Sequence, residues 1–179
     1  MRQQGFSLIE LLMGLAITGI VLHLVSPTFA TLIESSQRQQ AAQALFSGIR
    51  AARSEAIVRN QAVVIHGING DWSQGWRMIL DISGKGEMDS DNPLLAERKN
   101  GARVSIVGNS RVESSIRFRG QGESLFGGTL YICTLREPVS QHQVVLARTG
   151  RVSLRNDKVD QPLCEKRNKF RATNERAVL

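Results

Sequence analysis

An apolar run, GFSLIELLMGLAITGIVLHLV at residues 5 to 25, limits what this chain can fold into more than any other stretch. From Phe6 to Val25 there are twenty residues, and with His23 neutral Glu10 is the only charged one. In a helix, about twenty apolar residues match the roughly 30 Å hydrocarbon core of a bilayer. Only Arg2 precedes the run, which favours a cytoplasmic N-terminus. A cleaved secretory signal fits less well, because its apolar core is shorter and ends at an A-x-A-like site. The nearest match, Thr28-Phe29-Ala30, is poor, and no polar break precedes it. A plain anchor accounts for the length but not for Glu10. A carboxylate in hydrocarbon costs about 2.5–3.5 kcal/mol on insertion scales and is usually functional.

The chain has 179 residues, enough for one domain and one additional element. With 41% hydrophobic and 22% charged residues it has a globular composition, and neither repeats nor low-complexity tracts interrupt it. A net charge of +7 favours anionic partners such as nucleic acid or lipid headgroups. Cys133 and Cys164 are the only cysteines. In an oxidising compartment they would form a disulfide, and in a cytosol they would be two free thiols.

The stretch Gly5-Phe6-Ser7-Leu8-Ile9-Glu10 resembles the class III signal of type IV pilins and type II secretion pseudopilins. The resemblance implies that prepilin peptidase cleaves after Gly5 and that Phe6 becomes the N-methylated first residue. Glu10 is then the fifth mature residue, and its carboxylate would pair with the α-ammonium of a neighbouring subunit. Pro27, the twenty-second mature residue, occupies the place where this family often has a helix-bending proline. The implied organisation is a leader at 1–5, a pilin helix at 6–58 with 6–25 in the inner membrane, and a periplasmic β-rich head at 59–179 with a basic tail.

After Pro27 the helical period resumes, with Ala41, Leu45, Ile49, Ala52 and Ala56 on one face. Gln37 to Gln40, Arg50, Arg53 and Arg59 lie largely off that face. From residue 61 the period shortens. The runs 62–68, 76–82, 103–107, 115–119, 129–134, 143–147 and 151–154 read as strands separated by Gly, Asn, Asp and Ser. The fold class is therefore α+β, a long N-terminal helix packed on antiparallel sheets. Strands after an anchored helix, with Phe118 and the Leu130–Ile132 run among them, also resemble heads of the GspH/FimT group, which includes FimT- and FimU-like minor pilins.

The acidic segment from Asp81 to Asp91 lacks the alternation and bidentate glutamate of a calcium loop and reads as a solvated hairpin loop. Trp72 and Trp76 read as packing residues on either side of a turn. His23, His66 and His142 are scattered, and no nucleophile–base pair, phosphate loop or metal spacing occurs. An enzyme is not expected, nor is a metal or a cofactor. With a periplasmic head, as the resemblance implies, Cys133 and Cys164 can be bridged, stapling the tail to the sheet.

From Arg148 onward there are nine basic and four acidic residues, so this segment holds +5 of the net +7. Some FimT-type minor pilins bind DNA through a C-terminal Gly-Arg-x-Arg element. Here Gly150-Arg151-Val152-Ser153 keeps the glycine and first arginine, Ser153 replaces the second, and Arg155 follows two positions later. On a strand Arg151, Ser153 and Arg155 share a face. The candidate phosphate contacts are Arg148, Arg151, Arg155, Lys158, Lys166, Arg167, Lys169 and Arg171.

The resemblance thus implies a minor pilin of the type IV pilus, serving in assembly or priming for twitching motility or adhesion. A pseudopilin in type II protein secretion is the alternative. Expected partners are other minor and major pilins or pseudopilins, prepilin peptidase, the inner membrane and double-stranded DNA. Recognition at the cut needs a small residue. Replacing Gly5 with tryptophan should leave an unprocessed precursor, detected by intact mass as a chain that retains residues 1–5.

Overall fold

In a computed structural model, the described residues are 8–87, 90–100, 104–134, 139–159 and 161–164; the side chains at 22–28 and 134 lie outside the description. Gly5 and Phe6 therefore lie outside it, as do Met88, Asp89, Lys166, Arg167, Lys169 and Arg171. The chain divides into two compact units, Met1–Ser36 and Gln37–Leu179.

Helix α1 runs from Leu8 to Arg59, with its helical assignment continuous through Pro27. It stops where Asn60 turns left-handed at φ 49°. There the Gln61 N–H donates to Ala56 C=O and the Asn60 N–H to Ile57 C=O, both at 3.2 Å. These paired bonds form a Schellman C-cap, which satisfies carbonyls the helix would otherwise leave open.

In the second unit, the expected face of α1 is the buried one. Ala42, Ile49, Ala52 and Ala56 are fully covered, and Leu45 is 1% exposed. Small residues let the helix approach closely. At Gly48 an added Cβ would lie 2.6 Å from Cζ2 of Trp76. Any side chain at Gly48 would push α1 off that ring.

The first sheet has the order β3-β2-β1-β5, built from β1 (Val63–Ile68), β2 (Asp71–Leu80), β3 (Leu94–Lys99) and β5 (Ser115–Phe118). The second has the order β4-β6-β7-β8, from β4 (Val104–Gly108), β6 (Gly128–Thr134), β7 (Ser140–Leu146) and β8 (Val152–Arg155). Every pairing is antiparallel. The buried face of α1, Phe118 from the first sheet, and Leu130, Ile132 and Val144 from the second share one core.

Two features differ from the sequence reading. β2 begins at Asp71 rather than Trp76, because Asn69 and Gly70 close the β1–β2 hairpin in two residues at φ 53° and 75°. Both left-handed positions match the type I′ preference for Asn-Gly. Trp72 and Trp76 consequently sit on one strand instead of flanking a turn. Both are core residues, and Trp72 donates its Nε1–H to Val112 C=O at 3.1 Å. Ser73, buried beside it, accepts from the Ile106 N–H at 2.7 Å and donates to the Ile106 carbonyl at 3.3 Å, tying β2 to β4.

The second difference is β3, which the sequence reading lacks. Leu94-Leu95-Ala96-Glu97-Arg98-Lys99 is a mostly exposed edge strand without apolar alternation. Its charges also suit an edge, where they discourage pairing with another chain. Between β2 and β3, Arg77 Nε meets Glu97 Oε2 at 2.6 Å, and this hydrogen bond holds the Glu97 carboxyl below the ordinary carboxylate range.

The two cysteines are joined, with Cα atoms 6.5 Å apart and a sequence separation of 31. The Val159 N–H also donates to Ser140 C=O at 2.9 Å, so the segment after β8 returns to β7 before reaching the disulfide. Closing a loop of this size stabilises by about 3–4 kcal/mol in the chain-entropy model. Replacing both cysteines by serine should lower unfolding stability by about that amount. Denaturant titration of the full chain in detergent, with and without the bridge, measures the difference.

Candidate interaction surfaces

In the first unit, residues 8–21 are apolar on every side, with Glu10 as their single charged residue. Leu8, Ile9, Leu11, Leu12, Met13 and Leu15 are all more than half exposed, and Ile17, Ile20 and Val21 continue the pattern. A helix apolar all round belongs in lipid or inside a protein assembly, not on one flank of a sheet. Glu10 is exposed within this surface, in the first turn of the helix. Among the described residues no helix is long and apolar enough to cross a membrane. The apolar run continues past Val21 into positions whose side chains lie outside the description.

The tail begins at the β7–β8 turn. Gly150 sits there at φ 79°, where an added Cβ would strike the Gly122 carbonyl oxygen and approach Arg53 Nε. Arg53, from α1, donates to that same Gly122 carbonyl at 2.9 Å. Packing therefore requires glycine at 150. Arg151 and Arg155 are exposed, whereas Val152 and Leu154 pack against the core. The expected common face of Arg151, Ser153 and Arg155 thus points outward. Arg148 and Lys158 are exposed as well. Beyond β8, Asn156 Oδ1 lies 3.0 Å from His142 Nδ1, and Gln143 Nε2 donates to Asp157 C=O at 3.4 Å.

The acidic segment after β2 is not simply solvated. The Asp81 side chain is fully buried, with Oδ2 2.7 Å from Arg117 Nη2 and Oδ1 accepting from the Gly86 N–H at 2.9 Å. Asn92, 2% exposed, accepts from the Ile82 and Ser83 N–H groups at 2.7 and 2.9 Å. Its amide donates to Ser83 Oγ and to Glu87 C=O. The base of the loop is thus a closed polar network in which Asp81 is committed to Arg117. Among the described residues no group of His, Cys, Asp or Glu could hold a metal ion.

One surface escapes sequence reasoning altogether. Lys85, Arg111, Arg119 and Arg148 come from four separate segments and surround Leu125 and the half-exposed Phe126. No local pattern brings these positions together. Topology alone does so.

The family described as type II transport protein GspH matches residues 41–150, and the prokaryotic N-terminal methylation motif matches residues 1–26. In fold, the chain is similar to the type IV minor pilin FimU of Pseudomonas aeruginosa PAO1, at TM-score 0.58 and 21% identity. That match covers 73% of this chain and 98% of FimU. A second crystal form of FimU matches at TM-score 0.55 and 21% identity, over 69% of this chain and 98% of the other. The solution structure of Escherichia coli GspH aligns at TM-score 0.48 and 13% identity, over 68% of this chain and 89% of that one. No curated protein matches the chain in sequence.

Proposed function

The chain belongs to the GspH family, and from that premise we propose that it is a minor pilin, a subunit that enters a type IV pilus through its N-terminal helix. The observation that carries this reading is the pairing of the N-terminal methylation motif with an exposed apolar stretch at 8–21 in which Glu10 is the single charged residue. In this reading, residues 1–5 are the leader removed by prepilin peptidase, and 6–25 cross the inner membrane before assembly. Residues 6–58 then pack among other pilins, and 59–179 form the periplasmic head. In the fibre, Glu10 receives the α-ammonium of a neighbour's first residue, so that a carboxylate costly in lipid becomes half of an ion pair.

The family's description favours a second machine: the same subunit chemistry would serve a type II secretion pseudopilus. Deleting the protein distinguishes the two, by loss of pili and twitching in one case and loss of protein export in the other. Glu10→Ala should be processed and inserted normally but be depleted from sheared fibres by tenfold or more. Immunoblotting membrane and fibre fractions measures this, and normal incorporation would remove the role of Glu10.

DNA capture is an additional role for the head, supported by the exposed Arg151 just before β8 and Arg155 at its end, neither of which has an ion-pair partner among the described residues. Binding would be sequence-independent and driven by counterion release. Four phosphate contacts give a log–log salt slope on duplex DNA of about −3.6, and charge reversal at Arg151 and Arg155 should flatten it by about 1.8. Mobility shifts across a salt series with the full chain in detergent measure both. A low-salt series without any shift would leave the structural role alone.

A further inference from the structure

We propose that the concave surface around Phe126 is a docking site for an acidic peptide segment, tipped with an apolar side chain, on a neighbouring subunit's head. The inference rests on the fibre-subunit reading for the existence of that neighbour, but takes the neighbour's chemistry from the surface itself.

Phe126 is 52% exposed, whereas Phe118 and Trp72 are at most 1% exposed. Its exposure does not come from a loose loop. The Ser124 N–H donates to Arg148 C=O at 3.0 Å and the Leu125 N–H to Arg117 C=O at 3.2 Å. The Ser124 hydroxyl donates to the Phe126 carbonyl at 2.9 Å, and the Arg119 N–H donates to Glu123 C=O at 2.9 Å. The backbone on both sides of the β5–β6 connection thus holds the ring outward, and little ordering remains to be done on binding.

The surroundings are cationic. Arg111 and Arg148 flank Phe126 in one hollow, and Arg111 and Lys85 flank it in the next. Neither hollow contains an acidic residue; Glu123 lines a third, between Arg119 and Arg148. Lys85, Arg111, Arg119 and Arg148 have no ion-pair partner among the described residues, whereas Arg117 beside them is committed to Asp81.

An exposed aromatic ring ringed by arginines has the composition of a protein–protein hot spot. A guanidinium presents a fork that fits a carboxylate bidentately. Single-stranded nucleic acid would need successive aromatic platforms along the groove, and Phe126 is the only ring here. The surface therefore fits carboxylates placed around one apolar side chain.

The test uses the full-length protein in detergent micelles and a fluorescein-labelled synthetic peptide of glutamates around a single phenylalanine, read by fluorescence anisotropy. Binding is expected to weaken about thirty-fold in Phe126→Ala and about tenfold in each of Arg111→Ala and Arg148→Ala. It should be unchanged in Arg151→Ala and lost when glutamine replaces the peptide's glutamates. All of these side chains are exposed, so thermal unfolding should match the parent; Phe126→Leu, which keeps an apolar tip, should recover part of the affinity. Absence of peptide binding to the parent, or equal binding by Phe126→Ala, overturns the proposal. So does tighter binding of a short oligothymidylate through the same residues, which would make the surface a nucleic-acid site. Peptide failure alongside a fibre defect in Glu10→Ala removes only the docking surface. Peptide binding alongside normal incorporation of Glu10→Ala removes the fibre role and keeps the surface.

Discussion

The contact on which the head depends is the close seating of α1 against the sheets. Ala41, Ala42, Ala52 and Ala56 in the core, together with Gly48, keep the buried side of the helix slim, so the Trp76 ring lies directly against Gly48. A single added methylene in such a core costs packing energy, because the interior is already near crystalline density. Leu45 and Ile49 provide the larger side chains that fill the space between the sheets. A head built from sheets alone would expose the inner faces of both. The helix closes the core, and in doing so fixes the Schellman cap that turns the chain into β1.

What the sequence reveals depends on how local the physics is. The class III signal, the apolar run and the alanine face each repeat within a few residues, so spacing alone exposes them. Most strands are visible for the same reason. β3 is not: an edge strand with one flank in water has no need for alternation, and LLAERK shows none. The first half of β2 is hidden differently. Asp71, Ser73 and Gly75 look like turn residues, but Asn69-Gly70 has already made the turn, and Ser73 is a buried cross-link to β4. Asp81 and Asn92 look like solvated loop residues until long-range partners, Arg117 above all, are placed beside them. The surface around Phe126 is least legible, since its cations come from positions 85, 111, 119 and 148.

The Gly150-Arg151 pair shows how a motif can mislead without being wrong. Its glycine is required by the Gly122 carbonyl and by Arg53, whatever the following arginine does. Glycine at 150 is therefore evidence about turn packing and not about DNA. The weight of the DNA reading falls on Arg151 and Arg155 themselves, which the alternation of β8 turns outward while Val152 and Leu154 face the core.

Glu10 links the N-terminal chemistry to a choice of environment. On insertion scales a carboxylate in hydrocarbon costs about 2.5–3.5 kcal/mol, roughly 60- to 300-fold in equilibrium at 1.4 kcal/mol per factor of ten. In the proposed membrane state, the surrounding leucines and isoleucines would offset that cost, so that the chain could wait there as a single subunit. They gain little by moving into a fibre, because lipid tails and neighbouring helices are similarly apolar. The apolar surface therefore holds the helix in an apolar medium without specifying which one. In the proposed role, a buried carboxylate paired with a neighbour's ammonium would discriminate, since its charge would be compensated only in the assembly. Under that proposal, affinity for apolar surroundings and preference for the fibre belong to different residues, and a single acid in twenty positions would be enough to separate them.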